Sequence, residues 1–205
     1  MLRSADVPLA QSALLVIDAQ ASFTATPRWA RRANPAFEAN VAALIDAHRA
    51  AGLAVFYFLH TDGDAEFALG SPHLRLMDFL APRADEPVLL KNTRNCFTST
   101  TLQARLVSLG VRRLAITGIQ TEQCCETTAR LAADLGYAVD FVVDATDTFP
   151  IPNPDALGEE LGTEQVVERT VYALRRRFAR IVTTAALVEE LSASAAPGRT
   201  PELVA

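Results

Sequence analysis

Short, almost unbroken apolar runs alternate along the chain with longer stretches of helical period. The runs are ALLVID (13–18), AVFYFL (54–59), PVLLK (87–91), RLAITG (113–118), YAVDFVVDA (137–145) and RIVTT (180–184). Between them, NPAFEANVAALIDAHRAAG, STTLQARLVSLG and EQCCETTARLAADLG place apolar residues at i, i+3, i+4 and i+7. Each stops at a glycine, Gly52, Gly110 or Gly136, where a left-handed cap ends a helix. Run, helix, glycine, run is the βαβ pattern. Strands that are apolar on both sides need cover on both faces, so the pattern predicts an α/β fold. The expected architecture is a doubly wound three-layer α/β/α sandwich around a six-stranded, mostly parallel sheet. ERTVYALRRRFARIV carries Val171, Leu174 and Phe178 at helical spacing and predicts one more amphipathic helix, and FPIPNPDALG (149–158) reads as a surface loop.

Composition narrows the class. Of 205 residues, 50% are hydrophobic and 21% charged, which excludes a disordered chain, and 9 Gly with 11 Pro exclude a collagen-like or linker-like one. A chain of this size buries roughly 70% of its unfolded surface, enough for one unstapled core, so a single domain over 1–205 is expected. The formal charge of −5, with no basic run interleaved with aromatics, argues against nucleic acid as a partner. No apolar run approaches the ~20 residues of a membrane span, and Asp6, Pro8 and Gln11 break the N-terminal stretch, so no membrane partner and a cytoplasmic location are expected. Cys96, Cys124 and Cys125 make an odd set that reads as reduced thiols.

In doubly wound sheets, ligands collect beyond the carboxyl ends of the strands. Asp18 follows the first run, Lys91 closes the third, and TGIQTEQCC follows the fourth and puts Cys124 and Cys125 at the opening of a helix. A carboxylate, an ammonium and a thiol therefore gather at one rim. A thiol is a nucleophile only as the thiolate. The helix N-terminus with Thr121 as N-cap, the helix dipole and a cation such as Lys91 would each lower its pKa. Asp18 is placed to take the thiol proton and return it to a leaving amine. DAQASF lacks the glycines of a dinucleotide loop, and Gln20 stands where an aspartyl phosphatase needs a second acid. Adjacent cysteines on a helix point about 100° apart, which disfavours a redox couple.

These boxes resemble the isochorismatase-like cysteine hydrolases, a family that includes nicotinamidases, N-carbamoylsarcosine amidases and ureidoacrylate amidohydrolases. The resemblance rests on D-x-Q-x-x-F as Asp18, Gln20 and Phe23, on K-x(5)-F as Lys91 and Phe97, and on T-G-x-x-T-x-x-C as Thr117, Gly118, Thr121 and Cys124. It extends to Thr128, Ala129 and DATDTF. It implies strand order 3-2-1-4-5-6, a catalytic triad of Asp18, Lys91 and Cys124, and Cys125 turned into the helix packing. It further implies a cis peptide between Ile119 and Gln120, with the backbone N–H groups of Gln120 and Cys124 forming an oxyanion hole. Gln20, Phe23, Trp29 and Ile119 are the implied substrate-binding residues, and a homodimer or homotetramer the implied assembly.

The activity so implied is hydrolysis of a C–N bond, other than a peptide bond, in a small amide or ureido/carbamoyl substrate through a thioester, with no cofactor. The alternatives are isochorismatase-type vinyl-ether hydrolysis and a catalytically silent binding module; retention of Cys124 favours the first chemistry. Nicotinamidases hold a metal with an Asp-x-His after the second strand. Here the tripeptide is Phe58, Leu59 and His60, and phenylalanine has no lone pair to give, so no metal is expected. His60, Asp62, Asp64 and His73 form another conceivable ligand set, though HTDGDAEF reads more plainly as a polar loop. Arg28, Arg31, Arg32 and Arg94 are candidates for binding a substrate carboxylate, with Trp29 as a cover.

Overall fold

The computed structural model describes residues 6–63 and 65–195. Six strands form one parallel sheet in the order β3-β2-β1-β4-β5-β8: β1 Ser12–Ile17, β2 Ala54–His60, β3 Val88–Lys91, β4 Arg113–Ile119, β5 Ala138–Asp147 and β8 Arg180–Val182. With the short hairpin β6 Ile151–Pro152 and β7 Glu160–Leu161 set aside, this is the expected 3-2-1-4-5-6 order.

Every residue of β1 is buried, and its side chains alternate between two cores. Ala13, Leu15 and Ile17 face a cluster that holds Leu102 and Leu106 of α3 (Leu102–Ser108), Ala129 and Ala132 of α4 (Glu126–Asp134) and Leu174 of α5 (Thr163–Leu174). Leu14 and Val16 face Phe37, Val41 and Leu44 of α2 (Phe37–Ala50) and Leu187 and Leu191 of α6 (Thr184–Ala195). A strand apolar on both sides thus separates two helical layers, and each large apolar side chain it buries contributes roughly 1.5–3 kcal/mol. α2 buries Phe37, Val41, Leu44, Ile45 and His48, the stripe its period required. Its successor Gly52 has φ 68°, and Gly110 and Gly136 have φ 66° and 91°, so all three end helices as left-handed residues.

Two local expectations change. α5 ends at Leu174, and its inward stripe is Val166, Thr170 and Leu174, not Val171, Leu174 and Phe178. Arg176 takes φ 61°, which reverses the chain so that β8 starts at Arg180, and Phe178 packs against the sheet from this turn with Arg130 over its ring. The expected loop 149–158 is an exposed hairpin edge, except that its first residue, Phe149, is buried. Beyond Ile116, β5 makes an excursion relative to β4, from Ile116↔Phe141 to Gly118↔Thr146, which carries Thr146 and Asp147 to the carboxyl rim.

Candidate active site

Four strands deliver chemistry to that rim. β1 ends at Ile17, and Asp18 turns the chain with φ 51°, a left-handed conformation that Asp adopts more readily than most residues. Beside it, Gly118 has φ 130°, and a Cβ there would lie 1.9 Å from the Ile17 carbonyl oxygen. Only glycine lets β4 close on β1 at this level. β2 and β3 end in register as His60↔Lys91. β4 leads through a cis Ile119–Gln120 peptide into a π-helical turn, Thr121–Cys125, which continues as α4. Thr121 is the first residue of that turn, not its cap, and its hydroxyl donates to Thr146 Oγ1.

The three groups meet. Lys91 Nζ lies 2.8 Å from Asp18 Oδ2 and donates to Cys124 Sγ at 3.4 Å and to the Thr93 carbonyl at 3.1 Å. His60 Nδ1 is 3.3 Å from the same ammonium, and Arg94 Nη1 is 2.9 Å from His60 Nε2. Asp18, Lys91 and Cys124 are all at least 95% buried. Burial works against the Lys91 charge, but Asp18 and the neighbouring thiols outweigh it and hold the ammonium well above its ordinary value. Burial, then the Asp18 charge, pushes the Cys124 thiol up to about 12, with Lys91 pulling the other way. The expected lowering of this pKa is therefore not found, first because burial disfavours the thiolate and then because the charge beside it is a Lys91–Asp18 pair and not a bare cation. Burial pushes Cys96 and Cys125 up as well. Cys125 is fully buried in the α4 packing, and Cys96 accepts from the Thr128 hydroxyl. His60 is shifted down by burial and then by Lys91, which favours the neutral imidazole.

Above Cys124 opens a cavity of about 140 Å³, lined by Asp18, Phe23, His60, Gln120 and Cys124 at its base, with Arg28, Asp62, Phe67, Arg94 and Gln123 completing the wall. Of the expected substrate-binding residues, Phe23 faces it, stacked on Phe149 and edge-on to Phe67. Gln20, Trp29 and Ile119 stand behind it. Gln20 is fully buried and clamps the His60 backbone, with Nε2 donating to the His60 carbonyl and Oε1 accepting from the His60 N–H. Trp29 backs Phe149, and Ile119 belongs to the core. His60, Asp62, Phe67 and Gln123 are further wall residues outside the implied substrate-binding set. The signal for His60 was available, since it ends the strand beside the one that ends in Lys91.

A parallel sheet in this order, with carboxylate, ammonium and thiol converging at its carboxyl rim, defines the class of three-layer α/β/α hydrolases. The family follows from comparison: the Isochorismatase domain model matches residues 12–186, and the chain belongs to the isochorismatase family. It is similar to Nicotinamidase 3 of Arabidopsis thaliana, 33% identical over 187 residues that cover 83% of this chain and 84% of that protein. Streptothricin hydrolase of Streptomyces noursei is 34% identical over 143 residues, 68% of this chain and 51% of that protein. A Chromobacterium violaceum structure assigned to the isochorismatase family superposes with a TM-score of 0.83 at 28% identity, covering 94% of this chain and 97% of that one. The protein is thus an isochorismatase-family hydrolase.

The metal set of nicotinamidases does not fit this chain. Phe58 fills the first ligand position and lies fully buried in the core. Among the described residues, Asp18, His60 and Cys124 bring three donor atoms within 4.8 Å of one another, but Lys91 Nζ contacts all three. The cation of this cluster is the lysine's own. His73 pairs with Glu66 at 3.5 Å, whereas His60 faces Asp62 at 3.4 Å; Asp64 lies outside the described residues.

Proposed function

We propose that the protein is a cysteine amidohydrolase that cleaves the C–N bond of a small amide or carbamoyl compound through a thioester on Cys124. The observation that carries this reading is the single ammonium of Lys91, held 2.8 Å from Asp18 and 3.4 Å from Cys124 at the base of the cavity. A thiol pushed up to about 12 needs a base at the moment of attack, and a carboxylate oxygen of Asp18 lies within 4.8 Å of the sulfur.

Asp18 takes the Cys124 proton as sulfur attacks the substrate carbonyl. The oxyanion forms toward the N–H groups of Gln120 and Cys124; the amides flanking Cys124, those of Gln123 and Cys125, both donate to the Gln120 carbonyl, and that of Cys124 does not. Each such donor is typically worth roughly 3 kcal/mol of barrier. Collapse breaks the C–N bond, with the Asp18 proton going to the departing nitrogen. Water then gives a proton to Asp18 and attacks the thioester; collapse of that adduct releases the acid, and the departing thiolate recovers the proton. Lys91 balances the charge on Asp18 and sulfur throughout.

Cys124→Ser and Asp18→Asn should each lower turnover on a panel of amides, ureas and carbamoyl acids by at least about 10³-fold while the circular dichroism spectrum is kept. Mass spectrometry of acid-quenched wild type should find the acyl group on Cys124. Wild-type rates in either variant, or an acyl group elsewhere, would refute the mechanism.

A further inference from the structure

Four arginines fall near the cavity in sequence, and the fold divides them. Arg31 pairs with Glu160, and Arg32 with Glu38 and, at 3.9 Å, Asp147, so both spend their charge holding loops. Arg28 and Arg94 line the cavity. Arg28 lies 4.8 Å from the Phe149 ring centroid and, among the described residues, joins no ion pair. Arg94 reaches His60 Nε2, but a neutral imidazole carries one ring proton and cannot accept at both nitrogens. Of the carboxylates on the wall, Asp18 is held by Lys91 and Asp62 faces His60 at 3.4 Å. The wall therefore carries two guanidinium charges against one carboxylate, Asp62, that Lys91 does not already balance.

A second group on the wall also lacks a partner. The side chain of Gln120 is buried, lines the cavity beside Cys124, and its Nε2 has no hydrogen-bond acceptor among the described residues. Buried amide donors are nearly always paired, so an unpaired one facing a cavity marks where a ligand's acceptor belongs. The volume of about 140 Å³ is close to the roughly 150 Å³ of a cavity that takes a single six-membered ring.

We infer that the substrate is a small acid, an amide or carbamoyl compound whose carboxylate docks on Arg28 and Arg94 while an acceptor oxygen meets the Gln120 amide. The inference rests on the reading of Cys124 as nucleophile, since that sulfur sets where the scissile carbonyl lies. The subsite selects for the acid by charge and planar geometry, and Phe23 and Phe67 supply the apolar flank.

Two alkylating reagents of nearly equal size test this without knowledge of the substrate. Iodoacetate carries a carboxylate, and iodoacetamide replaces it with a neutral amide. The rate ratio of acetate to amide reagent at Cys124, divided by the same ratio for free glutathione, should exceed one by about tenfold, as a charge-assisted docking contact predicts. Arg28→Gln and Arg94→Gln should each bring that normalised ratio down by at least about threefold. Arg31→Gln, which removes the same charge from outside the cavity, should leave it at the wild-type value. A normalised ratio near one, with Cys124 still modified by iodoacetamide, overturns the carboxylate subsite and leaves the nucleophile standing. An equal fall in Arg31→Gln overturns it too, since a diffuse field would then account for the preference. A Cys124 inert to both reagents overturns the nucleophile and the subsite together.

Discussion

The sheet carries buried charge at both of its ends, and the two ends differ in how completely that charge is used. At the amino rim, Asp140 accepts from Arg113 Nε at 2.6 Å and from Arg180 Nε at 2.7 Å, and Glu190 accepts from both terminal nitrogens of Arg180. Each carboxylate oxygen there has a guanidinium N–H of its own, and rigid forks leave nothing over. At the carboxyl rim, one ammonium is divided among Asp18, Cys124, Thr93 and His60, one of the claimants is a thiol, and the cluster opens on a cavity. Saturated pairing braces the strands, whereas shared pairing leaves protons that can move. Arg113 and Asp140 are buried much as Lys91 and Asp18 are, so for these two pairs the count of partners separates scaffold from chemistry.

Removing the shared cation should produce the largest effect. Lys91→Met strands Asp18 and the thiol without their common partner and should lower kcat/KM by at least about 10³-fold, or about 4 kcal/mol of barrier, in steady-state assays. Arg113→Met makes the matching change at the amino rim, where it strips one arm from buried Asp140. Breaking a buried pair by removing one partner costs about 3–5 kcal/mol of stability, and urea unfolding should show that loss while kcat/KM of the folded fraction holds. If Arg113→Met slowed catalysis as strongly as Lys91→Met, or if Lys91→Met kept its rate, partner count would not distinguish the two rims.

Much of this contrast could be read along the chain, and what could not was long-range. The runs that became β1, β2, β4 and β5 are apolar on both faces, so strand identity and the layering followed from periodicity. Asp18, Lys91 and Cys124 stood at strand ends where such sheets gather ligands, and the fold brings the three into contact. The end of α5 was hidden, because three consecutive arginines give no stop signal, yet Arg175 leaves the helix with ψ 123° and Arg176 turns the chain with φ 61°. The four arginines could not be sorted either, since their partners Glu160, Glu38 and Asp147 come from separate elements. The raised pKa of Cys124 was hidden for a related reason: the fold buries the thiol, and the cation that would lower its pKa arrives already paired with Asp18.

The smallest expected effect lies in how the two ends answer acid. His48 of α2 is fully buried near Asp140 and Arg113, donates Nδ1–H to the Leu44 carbonyl and leaves Nε2 without a partner among the described residues; burial lowers its pKa from 6.5 to about 4. Below pH 6.5 the unfolded chain takes a proton that the folded chain refuses, so stability is lost as pH falls from 6.5 toward 4. At the other end of β5, buried Asp147 is raised by burial from 3.8 to about 6, although the backbone N–H groups of Ala33, Asn34 and Thr148 donate to Oδ1. Below pH 6 the folded chain takes a proton that the unfolded chain does not, so stability is gained as pH falls from 6 toward 3.8. A tenfold difference in proton affinity between the folded and unfolded chain corresponds to about 1.4 kcal/mol, so each group is worth about 3 kcal/mol over its window, and between pH 4 and 6 the two oppose each other. His48→Leu should therefore gain stability relative to wild type as pH is lowered from 6 to 4, whereas Asp147→Asn, which keeps the Oδ1 acceptor, should lose it over the same interval. Urea midpoints of the three proteins measured across that range should diverge in opposite directions, because one end of the strand excludes a proton and the other admits one; parallel curves would mean that neither buried group couples protonation to folding.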